Sequence, residues 1–233
     1  MTKLDILAFG AHPDDVEIGM AGTIAKHVKE GYRVGICDLT KAEMSSNGTV
    51  ELRQHEAASA SAVLGLSVRT CLGLPDRNLA ICQDNMDAIV REIRTYQPSI
   101  VFIPYWIDRH PDHVQASRLL EEALFNAKLR KYMPELAAWD VPKVYYYYIN
   151  DIDKPTLMID VSQFWDIKEQ SLLAYRSQFD LSADKDSVST PLTRQYIERV
   201  KARDMLLAQY LKDSQYAEGF TTKKPHVVSL FTS

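Results

Sequence analysis

The stretch LAFGAHPDDVEIG, residues 7–19, decides the reading of this chain. It joins an apolar run, Leu4–Phe9, to a segment of helical spacing, and it places a histidine and two adjacent aspartates at the corner. A strand-to-helix corner that binds a dinucleotide carries the GxGxxG pattern, and Gly10, Gly19 and Gly22 do not make it. His12, Asp14 and Asp15 at that corner raise a different chemistry.

Outward from this corner, two hydrophobic periods alternate. Nearly continuous apolar runs occur at Leu4–Phe9, Arg33–Leu39, Val68–Leu72, Ile100–Tyr105 and Lys143–Ile149, as expected of strands buried on both faces of a parallel sheet. Between them, helical spacing covers Val16–Lys29, Val50–Leu64, Asp84–Tyr96 and Pro111–Lys128, with Gly31 and Gly65 at two of the helix ends. Four strand-to-helix alternations predict an α/β fold: a Rossmann-like, doubly wound, mostly parallel sheet with helices on both faces. The expectation is one domain over 1–233, with a core over 1–150 and a less regular, helical part over 151–233 that completes the site. In that part Ser162–Phe179 and Thr193–Leu211 read as helices, and Asp180–Thr190 as a mobile loop.

A second cluster, His110-Pro111-Asp112-His113, follows the fourth strand. In doubly wound sheets strands one and four are neighbours at the switch point, where ligands bind beyond the strand carboxyl ends. Clusters a hundred residues apart therefore converge. Imidazoles and a carboxylate suit zinc, with Fe2+ and Co2+ as competitors; three protein ligands leaving one position open make a catalytic site. His12 and Asp15, at i and i+3, can point one way, and His113 is the third ligand. Aspartates at helix N-termini also serve as caps, and a lone PDD reads that way. Two such clusters at two strand ends favour the metal. His27, His55 and His226 read as surface or packing residues. An oxygen-activating iron centre would more commonly sit in a β-barrel, and a binding module has no use for a free carboxylate beside a metal water.

Composition narrows the function classes. The 233 residues are 46% hydrophobic with a formal net charge of -4, which gives no basic footprint for nucleic acid. Cys37, Cys71 and Cys82 are widely spaced and read as buried thiols of a reducing compartment. No apolar run reaches the ~20 residues of a membrane span, and no signal-peptide pattern opens the chain, so a cytoplasmic location is expected.

Ala11-His12-Pro13-Asp14-Asp15 with Glu17, Gly19 and Gly22-Thr23, taken with His110-Pro111-Asp112-His113, resembles the LmbE-like, or PIG-L, family of metal-dependent N-deacetylases. Leu74-Pro75-Asp76-Arg77 and Tyr216-Ala217-Glu218-Gly219-Phe220 are among segments that resemble its bacillithiol-biosynthesis branch, whose enzyme deacetylates N-acetylglucosaminyl-L-malate. The resemblance implies one zinc ion held by His12, Asp15 and His113. It makes Asp14 the general base, His110 the residue that stabilises the oxyanion or protonates the leaving amine, and Asp112 the residue that orients His110. Arg53 and Asp76 match positions that contact sugar hydroxyls, and Tyr196 matches a tyrosine reaching into the site. Many relatives place an acid directly after the two aspartates; here Val16 intervenes, so Glu17 is assigned a capping or supporting role. An acidic aglycone favours arginine nearby, which makes Arg109 a second substrate-binding candidate, unless it pairs with Asp108. A homo-oligomer, a hexamer in this branch, is also implied, with Tyr145–Tyr148 read as core strand in preference to interface.

Overall fold

The apolar runs form the strands they predict, three of them buried almost throughout and two only in part. The computed structural model describes residues 3–225. Five strands, β1 (Ile6–Gly10), β2 (Val34–Thr40), β3 (Val68–Leu74), β4 (Ile100–Pro104) and β5 (Lys143–Tyr147), run parallel, and β1 pairs with both β2 and β4. Two further strands, β6 (Leu157–Asp160) and β7 (Ala217–Thr221), extend the same sheet, β7 antiparallel to both β5 and β6. The order is β3-β2-β1-β4-β5-β7-β6. The chain leaves β1 towards β2 on one side and returns to β4 on the other, so the loops after β1 and β4 open one crevice.

Side-chain alternation along β1 divides the core. Ile6 and Ala8 pack with Val16 and Ile24 of helix α1 (Asp15–Lys29), whereas Leu7 and Phe9 pack with Ile89 and Ile93 of α3 (Gln83–Tyr96) and Leu119 and Leu120 of α4 (Pro111–Ala127). Each large apolar side chain so buried contributes about 1.5–3 kcal/mol. Helix α2 (Val50–Leu64) starts at Thr49, whose hydroxyl accepts the Leu52 N–H, and stops at Gly65 in the left-handed conformation, φ 66°. Tyr146, Tyr147 and Tyr148 are buried and Tyr145 is half-buried.

Three expectations for the C-terminal part are corrected. β6 and β7 were not expected; each is short, and β7 (AEGFT) is buried throughout yet carries a glutamate and a glycine, so neither period is visible. The helix expected over Ser162–Phe179 is a short turn, Ser162–Phe164, then α5 (Trp165–Leu173) and α6 (Arg176–Phe179), interrupted at Ala174-Tyr175 where the Tyr175 side chain is fully buried. The helix expected over Thr193–Leu211 is α7 (Tyr196–Ala208). The 180–190 stretch is irregular, and it is pinned at Val188, whose N–H and C=O bond the Asn47 side chain at 2.8 and 2.9 Å. Cys37 is buried, but Cys82 is exposed.

Helix α1 breaks at Met20 (φ -153°, ψ 21°), which frees backbone donors that an unbroken helix would use. The Glu218 carboxylate of β7 takes them, accepting the N–H of Gly22 at 3.0 Å and of Thr23 at 2.6 Å. Glu218 is balanced by Lys168 of α5 (2.7 Å), which also meets Asp204 of α7 (2.7 Å). Just before the break, Arg203 donates to the Ile18 carbonyl at 2.6 Å. Gly19 lets α1 lie against β5, because a Cβ there would fall 2.2 Å from the Tyr147 ring. No helix among the described residues is long and apolar enough to cross a membrane.

Candidate metal centre

The corner after β1 turns sharply. Asp14 stands at φ 116°, ψ -24°, a backbone region that costs an L-residue energy and requires support from its surroundings. Arg53, reaching from α2, supplies that support: its Nε donates to the Pro13 carbonyl at 2.9 Å, Nη2 bonds the same oxygen, and Nη2 lies 2.7 Å from Asp14 Oδ2. That last approach lacks the alignment of a hydrogen bond, so Oδ2 is a buried oxygen with no donor among the described residues. Burial pushes the Asp14 carboxyl up to about 7, against the opposing pull of Arg53.

One residue on, Asp15 faces the other way. Its Oδ2 accepts the His12 N–H at 2.8 Å and lies 3.5 Å from His12 Nδ1, while Oδ1 lies 3.0 Å from His113 Nε2. Burial opposes ionisation of Asp15, but His113 and His12 overcome it and hold the carboxyl well below the usual range. The two adjacent aspartates thus differ in orientation and in charge state.

The second cluster opens α4. Its N-cap is His110, whose Nδ1 accepts the Asp112 N–H at 3.3 Å. Burial and the neighbouring His113 and His12 lower the His110 pKa, and with Nδ1 accepting the Asp112 N–H the other ring nitrogen, Nε2, is left to act as donor. The orienting role of Asp112 is corrected: only its N–H meets His110. The Asp112 carboxylate lies 3.4 Å from His12 Nε2 and accepts from the N–H (3.0 Å) and Nη1 (2.9 Å) of Arg77. His113 sits between two carboxylates, Asp15 and, at 3.0 Å from Nδ1, Asp108. Burial disfavours its charged form, yet Asp15 and Asp108 raise its pKa to about 9.

Donor atoms of His12, His110 and His113 lie within 4.8 Å of one another, as do those of His12, Asp76 and Asp112. Asp15 touches both His12 and His113. The buried carboxylate with two imidazoles is the donor set a catalytic zinc or similar ion takes, so these residues fit such an ion. They line a pocket of about 250 Å3 with Asp14, His110, Arg53 and Arg109.

The remaining candidates separate. Arg53 is buried and committed to the corner. Asp76 lines the pocket but turns Oδ1 to His12 Nε2 at 3.1 Å. Arg109 is exposed at the pocket edge, and Asp108 is taken by His113, the His110 N–H and Asn150 instead. Tyr196 does not enter the pocket. Its hydroxyl bonds Asn150 Oδ1 at 2.8 Å and, at the start of α7, it lines an adjoining groove. Glu17 neither caps nor ligates; it is buried against Arg69 (2.5 Å), which also grips Asp38, and accepts the Tyr175 hydroxyl at 2.8 Å. His27 bonds the Thr23 carbonyl, His55 is exposed, and His226 lies outside the described residues. Asp108 and Asn150 were missed. Asp108 precedes the second cluster by two residues, a position that could have been read as support for its histidines; Asn150 carries no such mark.

The model of the GlcNAc-PI de-N-acetylase (PIG-L) family matches residues 7–124. The conserved protein TT1542 of Thermus thermophilus superposes with a TM-score of 0.88 at 38% identity, covering 97% of each chain. Diacetylchitobiose deacetylase of Thermococcus kodakarensis is 29% identical over 75% of this chain and 70% of its own length. This chain spans 62% of the length of the 1D-myo-inositol 2-acetamido-2-deoxy-alpha-D-glucopyranoside deacetylase of Kribbella flavida, at 27% identity over 63% of its residues. A probable N-acetyl-alpha-D-glucosaminyl L-malate deacetylase of Bacillus subtilis is 25% identical over 92% of this chain and 96% of its own.

Proposed function

The chain belongs to the GlcNAc-PI de-N-acetylase (PIG-L) family, and from that premise we propose that it is a zinc-dependent hydrolase that removes the acetyl group of N-acetylglucosaminyl-L-malate. The observation that carries the reading is the division of labour at the corner: Asp15 is clamped between His12 and His113, while Asp14 is turned away from both histidines towards Arg53 and is left to take a proton. His12, Asp15 and His113 would hold the metal. Bound there, a divalent ion polarises an amide carbonyl and acidifies a water.

The protein's own groups do the rest. As water attacks the acetamide carbon, an O–H bond breaks and Asp14 takes the proton. His110 donates its Nε2–H to the carbonyl oxygen as charge develops there, an interaction whose loss typically costs ~3–4 kcal/mol. The C–N bond then breaks, and Asp14 returns its proton to the departing amine. A carboxyl poised near neutrality suits both halves of this exchange.

The malate aglycone is supported by a groove of about 570 Å3 that shares Arg109, Ile149, Asn150 and Pro191 with the metal pocket. Arg109 and Arg199 line it, and neither forms an ion pair among the described residues; Asp151 is the acid on the same wall. Two free guanidiniums favour an anionic group leaving the sugar in that direction. The test is a substrate panel with zinc-loaded enzyme, scoring acetate and free amine from N-acetylglucosaminyl-malate, a chito-oligosaccharide and simple N-acetylglucosamine. Preference for the malate conjugate is expected, and Arg109→Ala should lose about tenfold or more on that substrate alone. Equal losses on all three would exclude the acidic aglycone; no acetate from any of them would overturn the deacetylase reading.

A further inference from the structure

His12 has two ring nitrogens with different surroundings. Nδ1 is on the side of Asp15 Oδ2, at 3.5 Å, and Nε2 is turned to Asp76 Oδ1 at 3.1 Å. A histidine that ligates through Nδ1 carries its proton on Nε2, and that proton needs an acceptor to fix the ring. Asp112 is the farther of the two carboxylates, at 3.4 Å, and is already occupied on both oxygens by Arg77. Asp76 is anchored independently. Its Oδ2 accepts the Met44 N–H at 2.9 Å, its own N–H bonds Glu43 at 2.7 Å, and its side chain is 4% exposed.

We infer that Asp76 is a positioning residue of the metal centre, which holds the tautomer and orientation of His12 through Nε2 and acts on substrate only by way of the metal. The inference rests on His12 being a ligand. It gives the β3–α3 loop, which supplies Asp76, a share in a site whose other members follow β1 and β4.

The experiment compares wild type, Asp76→Asn and His12→Ala, each stripped of metal, by competition with a chelator for zinc alone. Asp76→Asn keeps an acceptor for Met44 and should lower zinc affinity about tenfold or more. KM for the N-acetyl substrate at saturating zinc should stay within about twofold, and the visible absorption of the cobalt-loaded protein should shift. If Asp76 contacts the sugar instead, KM rises while zinc affinity and the cobalt spectrum stay as in wild type, and the inference is overturned. His12→Ala separates this from failure of the metal centre itself, since unaltered zinc affinity there would remove His12 from the ligand set. Should Asp76→Asn not fold, Asp76→Glu restores the charge with altered reach; reduced zinc affinity with unchanged KM supports the inference, and the reverse pattern overturns it.

Discussion

Adjacent aspartates at one corner take opposite roles because the backbone turns between them. The left-handed conformation of Asp14 sends its carboxylate towards Arg53, and the first helical turn sends that of Asp15 towards the histidines. Asp14→Asn should therefore keep metal at wild-type stoichiometry and lose about 10²–10⁴ in turnover, read by metal analysis beside acetate release. Retained turnover would remove Asp14 as the base. The histidines give a pH dependence of determinate sign. His113 has a folded-state pKa raised to about 9, above the ordinary 6.5, so in the metal-free protein its contribution to stability is complete below about 6.5 and is lost as pH rises through about 9. Zinc requires the neutral ring, so loading removes this dependence and releases protons. Denaturant unfolding of both forms between about pH 6 and 10 tests the claim; identical curves would refute it.

Elements legible in the sequence were those with one dominant period. Strands β1 to β5 and helices α1 to α4 fall within two residues of their expected ends, because unbroken apolar runs and glycine stops record burial directly. The convergence of the two histidine motifs followed from topology alone. Less legible was whatever depends on a partner distant in the chain. Glu218 stands in a segment marked only by its resemblance, yet it caps the break in α1; Lys168 falls in an expected helix with nothing to single it out, yet it is fully buried. Asp112 and Tyr196 were assigned targets by resemblance, and the side chains settle on Arg77 and Asn150 instead. Lys168→Met removes the one cation shared by Asp204 and Glu218, leaving buried acids undercompensated. Equilibrium unfolding should report a loss of about 3–5 kcal/mol; a change below about 1 kcal/mol would mean that Arg203 alone balances the pair.

At the scale of the molecule, the metal pocket draws on the loops after all five parallel strands, β1 to β5, at the carboxyl end of one sheet, with those after β1 and β4 supplying the ligands assigned to the ion. An ion held by two of these loops ties the halves of the sheet together and should stabilise the fold. At a free zinc concentration of about 100 times Kd the linkage amounts to about 2.7 kcal/mol, or roughly 5–10 °C in Tm for a chain of this size. Chelation followed by a thermal scan measures it, and an unchanged Tm would argue against a site formed only in the folded state.

The clasp of Glu218 on helix α1 sets an order of assembly. Every donor assigned to the ion is in place in the sequence by residue 113, and the carboxylate that closes the break behind Met20 arrives a hundred residues later. A ribosome that has released both histidine motifs has thus made the ligands without the means to hold their helix in its bent form. Competence to bind metal would then appear late in synthesis, when the last strand inserts, and zinc capture by half-made chains would be weak.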